Sequence, residues 1–161
     1  MNNRTIPSTS VIDATVQKLT ANGFTTVVVE NRTTAKEKVL PLLPKNAEVF
    51  TMTSVTLDEI GITQIVNESK DFISVRNKLY GFDKKENNRV AQQMGAAPEY
   101  AIGSVHAVTE DGKLMVASNT GSQLPAYAYG ADHVMFVIGA QKIVKNLDEG
   151  RKKTADMIVV G

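Results

Sequence analysis

Apolar positions along this chain change period several times, and each change predicts an element. Ile12, Val16 and Leu19 recur at helical spacing, and Gly23 follows as a stop, so a helix opens the chain. Ser10-Val-Ile-Asp13 has the form of a capping box with Asp in its fourth place. Residues 24–29, Phe-Thr-Thr-Val-Val-Val, are short, unbroken and rich in β-branched side chains, which predicts a buried strand. Asn31 or Thr33 can cap a second helix over residues 35–43, with Pro41 a weak point and Pro44 its close. Residues 47–52 form a second strand, and Thr53 or Ser54 begins a helical stretch through Leu57 and Ile60.

The middle of the chain is more polar. Phe72, Val75 and Leu79 keep helical spacing over residues 71–79, and residues 84–94 suit a helix ended by Gly95. Pro98 marks the return to strand. Residues 104–109 and 113–118 flank Glu110-Asp111-Gly112, a hairpin signal. Pro125 suits the first turn of a short helix, residues 133–138 form an apolar strand covered on both faces, and Asp148 can cap a last helix. Helices alternating with short strands predict an α/β domain with helices packed on a sheet. No internal repeat, low-complexity tract or linker interrupts it, so residues 1–161 read as a single domain.

Composition narrows the chemistry. The net charge of +1 provides no electrostatic reason for a nucleic acid or a membrane surface as partner. The chain has no Cys, which excludes disulfides, thiolate metal sites, iron–sulfur ligation and a cysteine nucleophile. The first residues lack the apolar core of a secretory signal, and no apolar run approaches a membrane span, so the expected location is the cytoplasm. Asn3, Asn31 and Asn67 open Asn-x-Ser/Thr triplets, which carry no meaning in that location.

The chemistry concentrates after the hairpin. Asn119, Thr120, Gly121, Ser122 and Gln123 form a polar loop following a strand, the place where open α/β sheets bind ligands. Its hydroxyls, amides and backbone N–H groups suit a phosphate or carboxylate, and Gly121 permits a close approach. The same run also makes an ordinary tight turn and helix cap. It is not a Walker loop, since no Gly-Lys-Ser/Thr pattern is present. Gly103, at the strand end that leads into the hairpin, stands with these candidates. Lys142, just beyond a strand end, and Arg76, in the polar middle, are candidate anion contacts as well as ordinary surface residues. His106 and Asp132 are the candidate proton-transfer groups. His106 reads otherwise as a satisfied sheet residue, and Asp132 as part of a turn. Two histidines, His106 and His133, make no metal site without helpful carboxylates, so no metal is expected, and no cofactor can be named. Glu110 and Asp111 read as a solvated turn. Tyr127 and Tyr129 either line a pocket or pack in a core or interface.

Taken in order, Ala101-Ile-Gly-Ser-Val-His-Ala, the hairpin, Ser118-Asn-Thr-Gly-Ser-Gln, Gly130-Ala-Asp-His-Val-Met-Phe-Val-Ile-Gly and Gln141-Lys-Ile-Val resemble the lactate-utilisation (LUD) domain family. The resemblance is carried by residues 101–145. It implies a three-layer αβα sandwich with a mixed, mostly parallel sheet, the fold shared by ribose-5-phosphate isomerase, glucosamine-6-phosphate deaminase and CoA transferases. It also implies a cytoplasmic role in lactate or related organic-acid use, with a small anionic metabolite at residues 119–123. An iron–sulfur protein partner is implied too. The alternatives are an isomerase, deaminase or acyl-transfer enzyme on that fold, or a non-catalytic subunit. Many members continue further, some through a Cys-rich segment that this chain lacks. The apolar run Met157-Ile-Val-Val-Gly161 reads as an unfinished strand or an interface edge: either the C-terminus is naturally short or the family's terminal segment is missing, and a homo-oligomer is the expectation.

Overall fold

A computed structural model describes residues 5–155. They gather into two compact units. The larger runs from Val29 to Ser104 and resumes over Thr120–Val137. The smaller draws on the stretch up to Val28, on Val105–Asn119 and on the stretch from Ile138 onward. The expectation for residues 157–161 lies outside the described residues.

The larger unit is built on four strands, β1 (Glu48–Thr51), β2 (Ile73–Ser74), β3 (Tyr100–Gly103) and, latest in the chain, β6 (His133–Phe136). Their order is β2-β1-β3-β6, and every pair is parallel. Alternation along the strands splits the core in two. Val49 and Ile102 face one cluster with Leu57, Ile62 and Val66, and Phe50 and Ala101 face the other with Val75 and Ala126. The first layer is α3 (Val55–Glu59) and α4 (Ile62–Glu68), joined by the end of α2 (Arg32–Val39). The second is α5 (Val75–Tyr80), α6 (Lys84–Ala96) and a π-helical turn, Ala126–Gly130. Helices therefore cover both faces of a parallel sheet, which is the α/β sandwich.

The smaller unit holds α1 (Thr9–Ala21), the hairpin of β4 (Ala107–Thr109) and β5 (Leu114–Met115), then β7 (Ile143–Val144) and α7 (Leu147–Ala155). Its sheet has the order β5-β4-β7, antiparallel at the hairpin and parallel between β4 and β7. Gly112 makes the turn at φ 84°, and the Thr109 hydroxyl accepts from the Lys113 backbone N–H at 2.9 Å.

Several local expectations are met by specific bonds. Asn31 caps α2 through Thr34 N at 3.0 Å, and Ser54 caps α3 through Leu57 N at 3.4 Å. Pro41, the weak point of the expected helix, ends α2 at Val39 rather than at the close expected at Pro44, and the chain tightens into a 3-10 turn over Leu40–Leu42. Others are corrected. Residues 24–29 form no strand among the described residues, and Phe24, Val27 and Val28 are 39, 65 and 57% exposed. β-propensity supplies the local shape, but a strand also needs a partner edge. Residue 73 belongs to β2, so the helix expected from 71 starts only at Val75. Ser8, not Ser10, precedes α1, and its side chain makes no cap bond. Asn146 caps α7 by accepting from Glu149 N at 3.0 Å, while Asp148 sits inside the first turn. Gly95 lies within α6. Val134 and Met135 do face opposite cores, yet β6 is only half-buried because it is the outer strand.

Candidate ligand site at the carboxyl edge of the parallel sheet

In the order β2-β1-β3-β6 the chain passes from β1 to β2 on one flank of β1 and then returns to β3 on the other. The carboxyl edge of such a sheet is where ligands bind, and on this edge a cavity lies beyond the ends of β1 and β2. Arg76 is delivered there by its neighbours. Ser74 ends β2 and caps α5, accepting from Asn77 N at 3.1 Å, so residue 76 falls in the first helical turn beside the end of β1. The Arg76 Nε donates to Thr51 O at 2.9 Å and to Thr51 Oγ1 at 3.3 Å. Its Nη2 donates to Thr51 O as well and to Thr53 Oγ1 at 3.4 Å, and its Nη1 donates to Tyr80 Oη at 3.2 Å. The guanidinium carbon lies 5.8 Å from the centroid of the Phe50 ring.

Behind Arg76 stands Asn67. Its Oδ1 accepts from Ser74 Oγ at 2.6 Å and from Thr51 Oγ1 at 3.3 Å, and its backbone carbonyl accepts from Asn77 Nδ2 at 2.6 Å. One residue thereby ties the ends of β1 and β2 to the start of α5 through its side-chain and backbone carbonyls. In front of Arg76 is a cavity of about 230 Å³ lined by Met52, Thr53, Asp58, Thr63, Arg76 and Tyr80. Among the described residues Arg76 has no carboxylate partner. Asp58 likewise has no cation partner, and the Thr63 hydroxyl is buried with no hydrogen bond.

Gly103 ends β3, and its lack of a side chain has a packing cause. A Cβ there would overlap the Tyr127 hydroxyl and stand 2.9 Å from Tyr127 Cζ and 3.1 Å from Met52 Cβ. The Tyr127 ring lies 4.8 Å from that of Phe136, tilted at 55°. Burial pushes the Tyr127 phenol up to about 12; the Ser104 backbone pulls the other way, although the hydroxyl meets no hydrogen-bond geometry. Tyr127 is therefore a packing residue, and Tyr129 is 96% exposed.

The loop at residues 119–123 is turned largely to solvent, with Asn119, Thr120 and Ser122 exposed. Thr120 Oγ1 and Ser122 Oγ bond each other at 3.0 Å, and Ser122 N donates to Thr120 Oγ1 at 3.4 Å. Gly121 has φ 73° and open space around it, and its carbonyl accepts from Leu124 N at 3.1 Å. The loop leads through Pro125 into the π-helical turn, as the sequence predicts. Thr120, Gly121, Ser122, Gln123, Arg76, Gly103 and Asp132 belong to the larger unit, and Asn119 to the smaller. Within the larger unit Asp132 is exposed and precedes β6, whose first residue pairs with Tyr100 and whose last pairs with Gly103. Asp132 and Gly103 thus lie at opposite ends of the sheet. His133 stacks on Tyr100 at 4.6 Å and serves structure.

His106 and Lys142 are both in the smaller unit. His106 Nδ1 accepts from Ala117 N at 3.0 Å, which puts the imidazole proton on Nε2. Burial first and the charge of Lys142 second hold its pKa below the ordinary value. His106 is therefore a neutral N–H donor near pH 7. Asp111 bonds Lys113 and Thr109, which hold its carboxyl below the usual range, so this acid pair is a turn. Among the described residues no group of three His, Asp or Glu gathers as a metal site, and no helix is long and apolar enough to cross a membrane.

Sequence reasoning included Arg76 but missed Thr51, Thr53, Asp58, Thr63, Asn67 and Tyr80. Thr53 was accessible as the first polar residue beyond a predicted strand. The others converge only through the strand order.

These features define an α/β protein with a cavity at the carboxyl edge of a parallel sheet. The family model of the LUD domain matches residues 12–159, and the chain belongs to the LUD domain family. No curated protein and no solved structure shows a significant match to the chain.

Proposed function

We propose that this LUD domain binds a small anionic metabolite in lactate or related organic-acid utilisation in the cytoplasm, with Arg76 receiving the anionic group. One observation carries the reading: a guanidinium with no carboxylate partner lines a cavity beyond the carboxyl ends of β1 and β2. The cavity is smaller than the roughly 300–1,000 Å³ of clefts that enclose drug-sized ligands. That favours a small organic acid over a whole CoA ester or nucleotide. The loop at residues 119–123 is the competing anion site, weakened by the pairing of its own hydroxyls. A thermal-shift series with lactate, pyruvate, sugar phosphates and CoA esters tests the reading. A ligand at about a hundred times its Kd stabilises by about 2.7 kcal/mol. Arg76→Met should abolish the shift. Loss only in the Thr120→Ala, Ser122→Ala double variant would move the site to the loop.

A second reading is a non-catalytic subunit working with a protein partner, an iron–sulfur protein or a second copy of the chain. The exposure of Phe24, Val27 and Val28 supports it. Light scattering of the purified chain separates these cases: a dimer favours the second copy, and a monomer that binds no small anion favours the other partner.

A further inference from the structure

Arg76 is not bare, and its bonds determine what it shows to a ligand. A guanidinium has five N–H donors. Nε and both Nη2 protons are directed at Thr51 and Thr53, and one Nη1 proton at Tyr80. Thr53 Oγ1 and Tyr80 Oη act as acceptors in these bonds, so their own hydroxyl protons remain to be donated. The cation thus shows the cavity one Nη1–H and two polarised O–H groups, a surface complementary to a single oxyanion. The same cavity has Asp58, an acceptor with no cation partner, and the Thr63 hydroxyl, buried without a bond. Asp58 and Arg76 do not pair with each other. A ligand with one charge alone would leave one of the two unanswered, and a ligand with two anionic ends would meet repulsion at Asp58.

Resting on the Arg76 reading above, we infer that the ligand is a small molecule with one oxyanion head and a hydroxyl or ammonium donor at its other end, and that Asp58 is the specificity residue that receives that donor. Thr63 Oγ1 provides a second polar contact for the donor end. Dicarboxylates and polyphosphates are excluded by the same carboxylate.

Four matched probes test this by NMR titration: butyrate, 4-hydroxybutyrate, 4-aminobutyrate and succinate. The donor-bearing pair should bind about tenfold more tightly than butyrate, in line with one hydrogen bond to a charged group. Succinate should bind most weakly. In Asp58→Asn the advantage of 4-aminobutyrate should disappear, that of 4-hydroxybutyrate should persist, and succinate should gain. Asp58→Ala should remove both advantages. Asp58 is exposed, so an unchanged melting temperature confirms that the fold is intact. Propyl phosphate against glycerol 3-phosphate repeats the comparison for a phosphate head. Equal binding of all monoanions, or a preference that survives Asp58→Ala, overturns the inference while leaving Arg76 as the anion site. Binding of none, or binding indifferent to Arg76→Met, overturns both.

Discussion

The Tyr127 hydroxyl occupies the space that a side chain on Gly103 would need. The two residues are 24 positions apart in the chain (127 − 103), yet each accounts for the other. Gly103→Ala should destabilise the fold by about 1–3 kcal/mol through overpacking, measured by chemical denaturation. Tyr127→Phe should recover part of that loss in the double variant. An unchanged midpoint in Gly103→Ala would contradict the packing.

Tyr127 should also be visible by titration. Its folded pKa is about 12, raised from the model-peptide value of 10.0. The folded chain therefore holds the phenolic proton more tightly than the unfolded one. This contribution to stability is complete below pH 10 and is lost between pH 10 and 12. The phenolate absorbance of Tyr127 should be missing at pH 11 in the folded protein. Its removal in Tyr127→Phe should then leave the phenolate band at pH 11 essentially unchanged.

His106 has the opposite sign. Its folded pKa is depressed, so below about pH 6.5 the unfolded chain binds more protons. Stability should fall as pH drops through that point, and this slope should vanish in His106→Ala. Nitrogen-15 NMR should find the proton on Nε2. Lys142→Met should raise the His106 pKa only in part, because burial is the larger cause.

Asn67 supports Arg76 without facing the cavity. Asn67→Ala leaves Thr51 and Ser74 without their shared acceptor and should cost about 1–3 kcal/mol of stability. Ligand affinity should fall with it, since the Thr51 bonds orient the guanidinium. Full affinity in Asn67→Ala would show that Arg76 is held well enough by Tyr80 and Thr53.

Thr120 and Ser122 offer a contrast. Their hydroxyls are exposed and bond each other, so the double Ala variant should shift stability by less than about 0.5 kcal/mol. A larger loss on denaturation would mean that the loop braces the fold.

Much of this protein was readable from neighbouring residues alone. Asn31 and Ser54 cap helices because a short polar side chain reaches a backbone N–H three residues ahead, and Asp111-Gly112 turns the hairpin because Gly112 takes a positive φ. The family, too, lay in an ordered set of short motifs. Such signals are local, and local sequence determines them. Strand 24–29 failed for the complementary reason: six β-formers specify an extended shape but not an edge to pair with. Only the tertiary structure decided that β2, β1, β3 and β6 stand in that order, and this order turns Arg76 toward Thr51, Asp58 and Thr63. It likewise separated Asp132 from Gly103 by the length of a strand. A site assembled from strand ends depends on which strands are neighbours, and that choice is made by packing two apolar faces at once rather than by any one segment.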